Sequence, residues 1–502
     1  MAKAKLPSVL FVSAEAYPYS KETGVADVAS SLPISVYESG SDIRVMIPKY
    51  GVVPKANASR IHEINRLKNI PVICKDADGK DIDETVTIKS TSLTNGKSKV
   101  QVYMATHEEF FESRNGIYHD TVNWEEYPDN LERFVFFCRS VVETCAALGW
   151  VPDIIHCNDW HTALVPAYIR YFYPEQFKKT KTVLTIHNVA NQGEYPMTKF
   201  NLLGLPEDAK GSFTHKRRLN ILKGGMIYAN FVTTVSESYL QQILEETKLT
   251  NGLSTLIKQN SNRIVGINNG IANHIWNPKI DNLLPVKYKG DFEHYKTSNK
   301  TALCNRCAIK YSPEIPVIGM ITNLSHQKGS DLLIETIPAL MRKNLQLIIL
   351  AQGDPKMREE LISLKQKYRG KIHAMFAFDD ELAHLLEAGS DMYLMPSRQE
   401  ACGLNLLYSL AYGTVPIVNL VGGIKDNAIP VVDMQNIGDA NCFAMNEFSV
   451  KGLKETIGNA VKMFNDKDKW NELVQNGMKG DYSWNNSVNE YIEVYKKLSR
   501  EE

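Results

Sequence analysis

Short apolar runs that alternate with stretches of helical periodicity constrain this chain more than any other feature. SDMYLMPS is short and apolar enough for a buried strand, and a loop carrying Glu400 follows it. Leu404, Leu407, Tyr408 and Ala411 then recur at helical spacing, and Gly413 ends that helix before the second apolar run, VPIV. This is half of a βαβ unit. In open parallel sheets, ligands collect beyond the carboxyl ends of the strands, so Glu400 is a candidate site residue.

The same pattern comes earlier, with IPVIGMIT as strand, NLSHQKG as loop and SDLLIETIPALMRK as helix, with Ser330 or Asp331 available as its cap. Lys328 and Gly329 therefore sit where a helix begins. Free N–H groups and the positive end of the helix dipole favour phosphate there, and an ammonium adds charge.

At 502 residues the chain is long for one core, so two domains are expected. The alternation starts with SVLFVSA, a loop through Lys21 and Gly24, a helix over ADVASSLPISVYESG and the strand DIRVMIP. Such order predicts an α/β fold with parallel sheets. Residues 52–106 are polar, with alternating segments that read as an antiparallel elaboration. DIIHC, TVLTIHN, NFVTTVS and RIVGINN give further strands. The expected organisation is an N-terminal domain over 1–282, a C-terminal domain over 293–483, and a charged amphipathic helix over 484–502 that could close either.

Lysine plus arginine and aspartate plus glutamate both total 57. A balanced charge recruits neither nucleic acid nor an acidic membrane. No apolar stretch approaches the ~20 residues that span a bilayer, and the apolar start is broken at Glu15, reading as a strand rather than a secretory signal. The eight cysteines sit mostly in apolar contexts, consistent with reduced thiols and a cytoplasmic location. Cys304 and Cys307 form a CxxC with no second pair at zinc spacing.

Four loops of the first half carry polar groups, and each follows an expected strand, so all would gather at one sheet edge. SKETGVADV contributes Lys21, Gly24 and Asp27, and HCNDWHTALVP contributes Asp159, Trp160 and His161. TIHNVANQGEYP contributes His187, Asn188 and Gln192, and GINNGIANHIWNP contributes Asn269 and Trp276. A metal site at His156, Asp159 and His161 is disfavoured, because alternate strand residues face opposite sides and no further ligand is evident.

In these motifs the chain resembles the bacterial glycogen synthases and plant starch synthases, retaining glucosyltransferases that extend α-1,4-glucan from a nucleotide-activated glucose. The match runs from VSAEAYPYSKETGVADVASSLP through HCNDWHTALVP, LTIHNVANQG, KGGMIYANFVTTVS and GINNGIANHIWNP to QKGSDLL, the GDP at 353–355, PSRQEACGLNLLYSLAYGT and the GGI at 422–424. The resemblance implies two Rossmann-like domains facing a deep cleft, the GT-B glycosyltransferase fold. It implies a nucleotide sugar, ADP-glucose or UDP-glucose, as donor and glucan as acceptor, with no cofactor and no metal. Glu400 corresponds to the acidic residue near the donor sugar and Lys328 to the lysine on the donor phosphates. Asp27 and His187 match residues lining the reaction centre. Lys21, Gly24, Asn188, Asp159, His161, Gln192 and Asn269 are the expected substrate contacts, with Cys402, Gly403 and Leu404 after Glu400.

Several positions depart from the family pattern. Thr23 replaces the first glycine of Lys-x-Gly-Gly, Ala401 a proline, Asn419 an arginine and Ala272 an aspartate. Asn323 stands where the family carries an arginine on the donor diphosphate. Asparagine supplies neither charge nor a bidentate fork. Loss of one such transition-state contact slows transfer roughly 100- to 1000-fold. Two readings of different class follow: an active α-glucan synthase, or a weakened homologue that binds glucan or a synthase partner in initiation or regulation. A Rossmann dehydrogenase is disfavoured, because no GxGxxG follows the first strand of either half.

Overall fold

A computed structural model of the chain describes residues 6–435 and 437–500. Lys3 and Lys5, which precede the apolar start, lie outside the described residues, as do the last two glutamates. The chain forms two compact units, Met1–Gly270 with Trp484–Glu502, and Ile271–Ser483.

In the first unit Val9–Val12 lies between Ile43–Pro48 and Ile154–Asn158, parallel to both. Lys181–Ile186, Phe231–Thr234 and Ile264–Gly266 extend the sheet on one side, also parallel. On the other side Lys99–Thr106 joins Ile43–Pro48 in parallel. The long strand Asp81–Thr94 then adds in antiparallel sense and pairs with Ile70–Lys75 and His62–Glu63, the polar elaboration expected from its alternation. The central strands are buried on both faces, which is why they read as continuous apolar runs. Strand order reverses between Val9–Val12 and Ile154–Asn158, so the loops leaving these two strands flank the crevice where ligands of such sheets bind.

The closing helix, Val488–Arg500, belongs to this first unit. Its Tyr491, Ile492, Tyr495 and Leu498 recur at helical spacing and are buried. Tyr495 Oη lies 2.6 Å from His156 Nδ1, and Trp484 Nε1 donates to Ser31 Oγ at 2.8 Å.

The second unit holds a parallel sheet in the order Ile372–Met375, Gln346–Gly353, Val317–Leu324, Met392–Met395, Val415–Val418, Phe443–Ala444. Alternation divides its side chains between two cores. Ile318, Met320, Leu347, Ile349 and Leu394 enter one. Val317, Ile348, Leu350 and Tyr393 enter the other. Order reverses here between Val317–Leu324 and Met392–Met395. The loops after those two strands are the ones carrying Lys328 and Glu400.

The structure differs from the sequence expectations at three points. The first unit ends at Gly270 rather than near Asn282, because Ile271 donates its N–H to Tyr482 O and Asp281 binds His384 and Tyr412 of the second unit. Trp276 goes with them, stacked 3.8 Å from His384 and 4.0 Å from Tyr408 (ring centroids). The helix Ser330–Leu340 has no side-chain cap. Gly329 precedes it in the left-handed region at φ +70°, and Ser330 Oγ instead accepts from Ser325 N at 3.2 Å. All eight cysteines are free thiols, Cys304 and Cys307 buried at the end of Phe292–Arg306. No described helix is long and apolar enough to cross a membrane.

Candidate active site

In the second unit the two switch-point loops are strapped together. Arg398 N and Gln399 N both donate to Gln327 O. The Arg398 guanidinium grips both Asp331 oxygens at 2.6 and 2.7 Å, and this contact holds the Asp331 carboxyl down at about 2. A Cβ at Gly329 would stand 1.8 Å from Pro396 O, so only glycine fits both the left-handed backbone and this approach. Across this platform Lys328 Nζ donates to both oxygens of Glu400, at 2.8 and 2.7 Å. Glu400 is 9% exposed and also accepts from Ser397 Oγ at 3.2 Å, while its carbonyl accepts from Gly423 N. Cys402 and Gly403 complete the loop, Gly403 at φ +77°, and Leu404 opens the helix Leu404–Ala411.

Of the departures, Asn419 has a visible role. Its Nδ2 donates to Ser397 O at 2.8 Å and so ties the Glu400 loop to the next strand. Asn323 lies near the end of its strand, where its carbonyl accepts from the Thr322 and Ser325 hydroxyls.

In the first unit Lys21 Nζ pairs with Asp27 Oδ1 at 2.8 Å. Asp27 lies in the first turn of Val25–Glu38, and Gly24 precedes it with an ordinary φ of −67°. His187 is held from two sides. Its N–H donates to Asp159 Oδ1 at 2.8 Å, and its Nε2 lies 2.8 Å from Asn158 Oδ1. Asn158 spends its Nδ2 on Val12 O, so its oxygen faces the ring, Nε2 carries the proton and Nδ1 is left as an acceptor. Burial pushes the imidazole down to about 3, which keeps it neutral, and pushes the Asp159 carboxyl up to about 7. Asp159 sits at φ +56°, and Asn188 N also donates to it, at 3.4 Å.

Two expected contacts, His161 and Gln192, also serve packing, and His156 of the disfavoured metal set is held elsewhere. His161 is packed among Tyr118, Phe134 and Trp160, with ring centroids 4.5, 4.7 and 4.2 Å away. Gln192 donates to Val189 O and Thr250 O and accepts from Asn220 Nδ2, so its amide braces loops. His156 lies between the Tyr495 and Thr185 hydroxyls, away from any ligand set. Asn269 is buried, its N–H donating to Val235 O. Among the described residues no group of three His, Cys, Asp or Glu is arranged to hold a metal ion.

Sequence reasoning passed over Glu15. Its carboxylate accepts from Glu22 N at 2.6 Å, Thr23 N at 3.0 Å, Tyr118 Oη at 3.2 Å and Thr23 Oγ1. The only signal was a charged residue three positions after the end of a buried strand.

Comparison with known proteins agrees with this geometry. Residues 8–259 match the starch synthase catalytic domain, and 309–472 match glycosyl transferases group 1. The glycogen synthase of Chlorobaculum parvum is 35% identical over 492 residues, 98% of each chain. That of Nitrosomonas europaea is 34% identical over 502, again 98% of each. Among solved structures, the catalytic domain of starch synthase IV from Arabidopsis thaliana, bound to ADP and acarbose, superposes with a TM-score of 0.87 at 26% identity, covering 98% of this chain and 99% of that one. Sucrose-phosphate synthase from Thermosynechococcus elongatus shares the fold, at a TM-score of 0.60 and 14% identity, covering 99% of this chain and all of that one. With relatives this similar over its whole length, and with Lys328 and Glu400 set at the switch point of a parallel sheet, the chain belongs to the glycogen and starch synthase family of glucosyltransferases with the GT-B fold.

Proposed function

We propose that this protein transfers glucose from ADP-glucose to the non-reducing end of an α-1,4-glucan with retention of configuration. The observation that carries the reading is the Lys328–Glu400 pair, a buried carboxylate and an ammonium joined by two hydrogen bonds beside two helix starts. We assign Lys328 to the donor diphosphate. As the bond from glucose C1 to the phosphate oxygen breaks, negative charge grows on the nucleoside diphosphate, and an ammonium aided by helix N-termini lowers that barrier. Glu400, released by Lys328 as the ammonium turns to phosphate, steadies the oxocarbenium-like sugar. The acceptor hydroxyl forms the new bond to C1, and its proton passes to the departing phosphate. Asp27 and His187 of the first unit are assigned to the reaction centre, the neutral His187 accepting a sugar hydroxyl at Nδ1. Asp159 positions His187, and Lys21, Gly24, Asn188 and Asn269 are assigned to substrate contacts, with Cys402, Gly403 and Leu404 on the donor side. The ADP and acarbose of the starch synthase IV structure support adenine as the donor base and glucan as acceptor. The eight free thiols support a cytoplasmic location.

Labelled ADP-glucose and UDP-glucose, each supplied with glycogen, test this. Label should enter polymer faster from ADP-glucose, and Glu400→Gln should abolish incorporation. Full activity in Glu400→Gln would overturn its role. Glucan binding without incorporation from either donor would favour a regulatory homologue, in keeping with the neutral Asn323 where the family carries charge.

A further inference from the structure

We propose that Glu15 is a positioning residue for glucosyl transfer, its ionised carboxylate holding the loop that presents Lys21 and Asp27, with Thr23 as its partner. The inference rests on the assignment of those two residues to the reaction centre. Glu15 is wholly buried, and four donors converge on it, two of them backbone N–H groups that cannot turn away. The anchored residues, Glu22 and Thr23, stand directly between Lys21 and the helix Val25–Glu38 that carries Asp27. Thr23, which departs from the family glycine, donates its hydroxyl to Glu15 and accepts from Val25 N at 3.2 Å. Its side chain is thereby drawn into the anchor.

Protonation would undo part of this. A carboxylic acid at Glu15 must donate its proton, so the bond to Thr23 reverses and the threonine hydroxyl loses its acceptor. Burial pushes the Glu15 carboxyl up to about 7, against the pull of its donors, which places the change within the working range. The titratable groups around it come from four segments. Glu22 adds a like charge from the same loop, and is itself held by Tyr118 N at 3.1 Å and by His119 Nδ1 at 2.6 Å. Tyr118 donates to Glu15 from the segment after Gly116, and its phenol is pushed up by burial. The buried Tyr50 also feels the charge of Glu15, with the guanidinium of Arg133, on the helix Asn130–Leu148, 5.9 Å from its ring.

The test compares wild type with Glu15→Gln, a neutral stand-in for the protonated acid, using ADP-glucose and glycogen over about pH 5.5 to 8.5. Taking the ratio of kcat/KM cancels groups common to both, including Asp159. The ratio should rise from near 1 to roughly 10 with a midpoint near 7, carried by kcat, as expected for one charge-assisted hydrogen bond. Thr23→Ser should keep that profile and Thr23→Val should flatten it. A ratio that does not change with pH overturns the proposal. Melting temperature gives a readout free of turnover. Because the folded carboxyl lies above its unfolded value, its contribution is full at low pH and lost as pH rises through about 7. The advantage of wild type over Glu15→Gln in melting temperature should therefore shrink as pH rises. If it shrinks while no donor supports transfer, the transferase assignment fails and the anchor stands. If it shrinks while the kcat/KM ratio stays flat, positioning is refuted.

Discussion

At the scale of single residues, the departure expected to weigh most on turnover is Asn323. It lies near the end of a strand at the switch point, five residues before Lys328, and offers an amide where the resemblance implies a guanidinium. Arg398, on the loop of Glu400, does not replace that charge, since both of its terminal nitrogens are given to Asp331. On the assignment of Lys328 to the donor diphosphate, Asn323→Arg should raise kcat/KM roughly 100-fold, the inverse of losing one transition-state contact. Unchanged turnover alongside measurable ADP binding would show that the limit lies elsewhere. Glu400 and Lys328 were legible as single residues at helix starts, because strand, loop and helix follow one another in the chain. Their ion pair was not. It joins residues 72 positions apart, and only the parallel register of Val317–Leu324 with Met392–Met395 brings their loops together.

Elements position these groups through close backbone approach rather than through capping side chains. Gly329 is the clearest case, since it meets Pro396 O of the neighbouring loop with no room for a methyl group. Gly329→Ala would add left-handed strain of about 1 to 2 kcal/mol to a clash with backbone that cannot move aside. Thermal unfolding of the second unit should come at least 4 °C lower, with transfer lost in parallel. A variant of full stability and activity would show that the loops need not touch. Sequence reading placed this glycine at a helix start but assigned the capping to Ser330 or Asp331. That failed because Asp331 is claimed by Arg398 from another loop and Ser330 turns back to Ser325, competitions that helical spacing does not encode.

At the scale of the whole molecule, the tail belongs to the unit in which the chain begins. Tyr495 is buried against His156, a histidine that burial keeps neutral by pushing it down to about 3. Tyr495→Ala would remove a buried ring and strand that nitrogen, costing the first unit about 3 to 5 kcal/mol. Calorimetry should show the lowered transition, and an unmoved one would mean the tail is dispensable. The sequence by itself determined the α/β class, the strand and helix order and the loops that carry chemistry, because periodicity and turn residues act over a few neighbours. It could not say which unit the amphipathic tail would cover, since an apolar face fits any apolar surface. It also left open where the first unit would end. Tertiary structure decided that Trp276 stacks on His384, that Gln192 and His161 serve packing, and that Glu15 anchors the opening loop. Each of those outcomes depends on which distant group reaches a buried polar atom first, and an unpaired polar atom costs too much to leave that choice to local preference.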